Sequence, residues 1–256
     1  NAKPLNATPL AQQIARDELA LVWAQAEFKA DAPDKVAQPT DAYVSPPMRR
    51  LVELTRGAQQ EFLAFSPYFV PHDAGVKILG DTTARGVRVA ILTNSLAATD
   101  AVAVQAGYGP YRVPLLRHGV ELYEFKAQPG RQRPRLFGSR SRASLHAKAY
   151  VIDRKILVIG SMNLDPRSAH LNTELALVIH SPALAQQVAT IFARVTQPDE
   201  SYRVSLATPA GGGAPELEWT GTDDGRPTTY HVDPHAGLLR NLMTGIFTLL
   251  PVDDQL

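Results

Sequence analysis

The sequence predicts an α/β fold, a mixed β-sheet flanked by helices, and three observations carry that expectation. A length of 256 residues, 45% apolar and 20% charged, is enough to bury a sizeable core and is ordinary for a globular chain. Between Glu61 and Leu92 an apolar strand pattern, a helical stretch and a second strand pattern alternate, as α/β folds require. Between His146 and His180 three further strand patterns follow one another closely.

Taken in order, Leu10 to Lys29 spaces Ile14, Leu19, Leu21, Val22 and Phe28 as a helix does. The Asp- and Pro-punctuated ADAPDKVAQPT after it is a connector. Residues 1–43 are therefore expected as an N-terminal helix and connector, and residues 44–256 as the main unit with a C-terminal hairpin and helix. Within that unit a helix is expected over Met48–Gln60, a strand at EFLAFS, a helix over Ala74–Arg85 and a strand through Val87, Val89, Ile91 and Leu92. A helix from Asp100 to His118 leads into the strand VELYEF. HAKAYVI, ILVIGS and TELALVIH are strands, followed by a helix over Pro182–Arg194. YRVSLA and ELEWTG form a hairpin joined by PAGGGAP, and an amphipathic helix spans His235–Leu249.

Composition narrows the chemistry. Lys and Arg number 26 against 25 Asp and Glu, so net charge gives no reason to expect nucleic acid, and any electrostatic signal is local. One such signal exists: from Phe125 to Ile152 no residue is acidic, while Lys126, Arg131, Arg133, Arg135, Arg140, Arg142 and Lys148 are basic. A solvated loop is the default reading of that stretch, and steering of phosphate or anionic lipid is the functional one. The absence of cysteine excludes a thiolate nucleophile, a disulfide framework and a cysteine-based zinc site. No apolar run reaches the roughly 20 residues of a spanning helix, so any membrane contact is expected to be peripheral. The chain starts at Asn1 without the head of a signal peptide, and is expected to be a fragment or a processed product.

One constellation stands above this background: His146 and Lys148, then Asp153, then Gly160, Ser161, Asn163, Asp165, Arg167 and Ser168, then Glu174. On a strand, positions two apart share a face, so His146 and Lys148 project together, with Tyr150 and Ile152 on the same side. Asp153 has the opposite parity and is better placed to brace the Asp153-Arg154-Lys155 turn. Gly160 lets a backbone approach a ligand closely, and Ser161 and Asn163 offer uncharged donors. Phosphodiester transfer uses such groups. An imidazole attacks phosphorus to give a covalent intermediate. An ammonium and neutral donors hold the oxygens where negative charge accumulates. A carboxylate such as Glu174 accepts the proton of the other ring nitrogen. No metal or cofactor is required by this set. Tyr68, in SPYF at a strand end, and His170, after the DPRS turn, are further candidates for the site wall.

The pattern H-x-K-x4-D followed by G-S-x-N-x-D-x-R-S resembles the HKD motif of the phospholipase D superfamily. SPYFVPHDAGVKIL, ILTNSLAATDAVAVQAGYGPYR, GVELYEFK, DPRSAHLNTELALVI and LLPVDDQL extend the likeness over essentially the whole chain, to the C-terminal half of the bacterial cardiolipin synthases of the C type. The resemblance implies one phospholipase D-like half-domain acting on phospholipid at the inner membrane. It implies that His146 is one of two catalytic histidines, that Lys148 and Asn163 bind phosphate, and that Glu174 orients His146; the hydroxyl of Ser161 is a further candidate phosphate donor from its chemistry alone. Asp153 completes the motif and is counted with the candidate catalytic set.

Such enzymes resemble two fused halves, each supplying one HKD set, whereas this chain has one. None of His72, His118, His170, His180, His231 or His235 is followed by lysine at the second position. A lone half holds a nucleophile or a general acid but not both. The second set is expected either in residues preceding Asn1, which the junction-like opening favours, or in a second copy about a twofold axis. The resulting readings are a phosphatidyltransferase forming cardiolipin, a homodimeric phosphodiesterase or nuclease, and a non-catalytic half-domain that binds lipid or a partner.

Overall fold

The computed structural model describes residues 9–16, 18, 21–37, 43, 45–127, 144–209, 211–237 and 240. Among these, ten strands form one mixed sheet in the order β1-β7-β6-β5-β2-β3-β4-β8-β9-β10. Parallel pairing between the described strands is confined to β2 (Glu61–Phe65), β3 (Arg88–Asn94) and β4 (Glu121–Phe125), with one isolated parallel bridge between Phe69 and Leu164. Their crossovers are helix α3 (His72–Ala84), and α4 (Val102–Tyr108) with α5 (Arg112–Arg117). The other pairs are antiparallel: β5 (Ala149–Ile152), β6 (Ile156–Gly160) and β7 (Leu175–His180) on one side, β8 (Ser201–Ala207), β9 (Glu216–Asp223) and β10 (Arg226–Tyr230) on the other. Helices lie on both faces, so the α/β expectation holds.

The central strand β2 is buried at every position and splits its side chains by parity. Phe62 and Ala64 join the core packed with Leu51 and Leu54 of α2 (Pro46–Gly57), Val76 and Leu79 of α3, and Leu115 of α5. Leu63 and Phe65 join the opposite core, closed by Ala185, Ala189 and Phe192 of α6 (Pro182–Val195). Both α2 and α6 start on a serine, Ser45 and Ser181, whose hydroxyl accepts the backbone N–H three residues on, with proline in the first turn.

Three expectations need correction. The helix read from Leu10 to Lys29 is a short helix α1, Pro9–Ala15, followed by a strand β1, Gln25–Ala30. β1 pairs antiparallel with β7 from Gln25 opposite His180 to Ala30 opposite Leu175. Glu27 accepts a hydrogen bond from Arg50 at 2.7 Å and lies 2.9 Å from His180 Nε2. Those bonds, Arg50's first, hold its carboxyl down at about 2. A sheet edge that satisfies backbone and charge together outweighs a loose helical spacing. The helix read from Asp100 to His118 is likewise two helices joined by a 3₁₀ turn at Gly109–Tyr111, where Pro110 removes a backbone donor. The third concerns the strand after His146, described with the site. β10 was not anticipated, although Asp224-Gly225, both at positive φ, make the two-residue turn that creates it. Arg131, Arg133, Arg135, Arg140 and Arg142 of the basic stretch, and most of the helix expected over His235–Leu249, lie outside the described residues.

Candidate active site

The candidate residues other than Asp153 gather at one end of the sheet, where β2, β3 and β6 end and β5 and β7 begin. The strand expected from His146 starts only at Ala149. β2 pairs with β5 as far as Phe65 opposite Ala149, and beyond it stand Ser66 and Pro67, the latter with no N–H to offer a ladder. The backbone before His146 is held instead by a side chain. Asn94, fully buried at the end of β3, accepts from Leu145 N at 2.8 Å and donates to Leu145 O at 3.1 Å. A single amide thus imitates a strand edge and fixes the residue adjoining the imidazole. His146 itself is exposed, and its ring makes no hydrogen bond among the described residues.

Lys148 is half-buried, donates to His146 O at 3.1 Å and lies 5.9 Å from the centroid of the Tyr68 ring. Burial lowers its pKa, opposed by the negative charges of Glu174, Asp165 and Asp100. Tyr68 donates to Asp100 at 2.9 Å, and burial followed by that carboxylate pushes its pKa up to about 12. It is therefore a neutral wall of the site with a satisfied hydroxyl. His170 is exposed on a single π turn, Arg167–Leu171.

The loop after β6 is tied down tightly. Tyr150 donates to Met162 O at 2.7 Å, and Val70 N donates to Leu164 O at 2.8 Å. Asp165, buried, accepts from Ser168 N at 2.8 Å, and desolvation raises its pKa. Asn163 N donates to Ser168 Oγ at 3.0 Å, and Asn163 Oδ1 is buried without a hydrogen-bond partner among the described residues. Leaving a buried polar atom unpaired costs roughly 1–3 kcal/mol, a cost that Asn163 shares among the described residues with Arg50, His72, Gln105 and Tyr108.

Three residues meet partners that the sequence did not indicate. Glu174 is buried, and its carboxylate accepts from Ser161 Oγ and, at 2.9 Å, from Ser168 Oγ. No hydrogen bond joins Glu174 to His146 among the described residues. Ser161 Oγ donates to Glu174 and accepts from Leu175 N at 3.1 Å. Gly160 is required by the protein's own packing: a methyl there would meet Leu175 O at 2.1 Å and Ala176 Cα at 2.9 Å.

Asp153 is the clearest correction. It lies at the far end of β5 from His146, and its carboxylate accepts from Gln59 N, Gln60 N and Glu61 N at 2.7–3.1 Å. It braces the turn between α2 and β2 from a left-handed conformation, φ 53°, that aspartate tolerates. Asp153→Asn is expected to cost about 1–3 kcal/mol of stability, because an amide cannot accept all three bonds. Thermal unfolding together with turnover per folded molecule tests this, and lost turnover in a fully folded variant would return Asp153 to the site.

Sequence reasoning missed Asn94, Asp31 and Lys35. Asn94 carried a signal, a polar Thr-Asn-Ser run closing an apolar strand, where α/β folds collect ligands. Among the described residues no group of three or more His, Cys, Asp or Glu is placed to hold a metal.

Comparison with known proteins places the chain in a family. A family model described as "Cardiolipin synthase, PLD-like domain" matches residues 51–196, more than half of the chain. Cardiolipin synthase C of Escherichia coli K12 is 34% identical over 256 residues, 98% of this chain and 52% of that protein. Cardiolipin synthase A of Buchnera aphidicola (subspecies Baizongia pistaciae) is 30% identical over 134 residues, 52% of this chain and 24% of that protein. The chain thus spans at most about half the length of the curated relatives it matches. The crystal structure of phosphatidylserine synthase from Haemophilus influenzae superposes with a TM-score of 0.51 at 14% identity, covering 70% of this chain and 39% of that one, which bears on the fold alone. With a fold, a motif and a family model that agree, the chain belongs to the cardiolipin synthase, PLD-like domain family.

Proposed function

We propose that this chain supplies one of the two HKD sets of an enzyme that moves a phosphatidyl group from one phospholipid to the hydroxyl of another, forming cardiolipin. The observation that carries the reading is the convergence of His146, Lys148 and Asn163 at one end of the sheet, in a chain with a single set that spans half of a cardiolipin synthase. In the first step the nucleophilic histidine of the pair attacks phosphorus, the P–O bond to the donor's alcohol breaks, and the other histidine protonates that alcohol. In the second, the same histidine takes the proton of the acceptor hydroxyl as its oxygen displaces the nucleophile. Lys148 holds the non-bridging oxygens with its charge, and the Asn163 amide reaches the same group. Glu174 keeps acceptor capacity beyond its two serine bonds, enough to take an imidazole N–H. Membrane contact is peripheral in this reading, and among the described residues no helix is long and apolar enough to cross a membrane.

The test is product analysis on the full-length protein. Mixed vesicles of phosphatidylglycerol and a zwitterionic phospholipid are expected to yield cardiolipin, while plasmid DNA stays intact. Cleavage of DNA without lipid turnover would replace this reading by a nuclease.

A further inference from the structure

The segment between β1 and α2, expected only as a connector, reaches the candidate site from behind. Lys35 and Asp31 have fully buried side chains, and Lys35 Nζ lies 2.6 Å from Asp31 Oδ2. Each partner also grips one of the two residues that bond to each other inside the site. Asp31 Oδ2 accepts from Glu174 N at 3.0 Å, and Asp31 N donates to Glu174 O at 2.8 Å. Lys35 Nζ donates to Ser168 O at 2.8 Å. On the other side of those two backbones, Ser168 Oγ donates to the Glu174 carboxylate at 2.9 Å. The pair is closed by Tyr43, whose hydroxyl donates to Asp31 Oδ1 at 3.3 Å and whose ring centroid lies 5.5 Å from Lys35 Nζ.

We propose that Asp31 and Lys35 are positioning residues that fix Glu174 and Ser168, and through them the loop carrying Asn163, for phosphoryl transfer. A buried ion pair is a poor device for stability alone, since an apolar pair of the same volume does as well or better. Its value here is directional: a backbone amide, a backbone carbonyl and two charges fix one register between β1, the π turn and the start of β7. The inference rests on the reading that Glu174 and Asn163 serve phosphatidyl transfer, and is tested in a way that separates the two.

In the full-length protein, Lys35→Met strands the Asp31 charge and is expected to lower both melting temperature and kcat. The double variant Asp31→Asn with Lys35→Met removes that charge while keeping an acceptor for Glu174 N. Its melting temperature is expected to return close to wild type, with kcat still down about tenfold and KM for the lipid donor unchanged, as a displaced but intact site gives. Recovery of kcat together with melting temperature would make the pair merely structural and overturn the proposal. Amide hydrogen exchange supplies a readout independent of catalysis. Exchange across residues 163–174 is expected to rise in the double variant while β2 and β3 stay protected, and unchanged exchange would overturn the proposal even if the wild-type protein transferred no lipid. A wild type without transfer but with the exchange change would remove the function assigned above and leave the clamp.

Discussion

His146→Asn is expected to reduce phosphatidyl transfer by about a thousandfold or more, because either role open to His146, nucleophile or general acid, needs an imidazole. The fold gives no reason to expect a compensating loss of stability. His146 is exposed, its ring makes no hydrogen bond among the described residues, and its backbone is held through Leu145 by Asn94. A polar substitution at such a surface position lies within roughly 0.5 kcal/mol of neutral. Melting temperature is therefore expected to stay near wild type while cardiolipin formation, followed from mixed vesicles, disappears. Undiminished synthesis would remove His146 from the chemistry and leave a binding half-domain.

Gly160→Ala is expected to have the largest effect on stability, about 3 kcal/mol or more, because the added methyl meets backbone atoms. Leu175 O would lie 2.1 Å from the new carbon and Ala176 Cα 2.9 Å, so β6 and β7 must separate where Gly160 pairs with Ala176. The damage reaches the site at once. Ser161 N donates to Leu175 O at 3.1 Å, Leu175 N donates to Ser161 Oγ at 3.1 Å, and Ser161 in turn holds Glu174. Gly57→Ala is the control: nothing stands within 4 Å of its added methyl, and near the end of α2 the change is neutral or slightly stabilising. Chemical denaturation of the two variants tests the difference, and equal midpoints would show that the β6–β7 approach is not the constraint described.

The central sheet and the spacing of the HKD motif were legible because their signals are local. β2 and β3 are apolar runs with clear ends, and the motif places its residues at fixed spacings. Asp153 was legible in part: strand parity pointed to a structural brace, and the carboxylate braces the α2–β2 turn rather than its own hairpin. What stayed hidden depends on partners distant in sequence. Asp31 and Lys35 are four residues apart, which taken alone suggests an exposed ion pair; only the arrival of Glu174 and Ser168, more than 130 residues later, buries them. β1 escaped for the same reason, since its strand character comes from the edge of β7 and from Arg50 and His180 around Glu27. Ser161 offered a donor in sequence, and the structure commits that donor to Glu174.

The central claim is that this chain holds half of an active site. Measuring native mass and phosphatidyl transfer on the same preparations, for this chain alone and for the full-length protein, tests it most directly. No cardiolipin is expected from a strict monomer of this chain, and transfer is expected wherever a second HKD set is present, whether on the same polypeptide or in a second copy. Turnover by a strict monomer would contradict it.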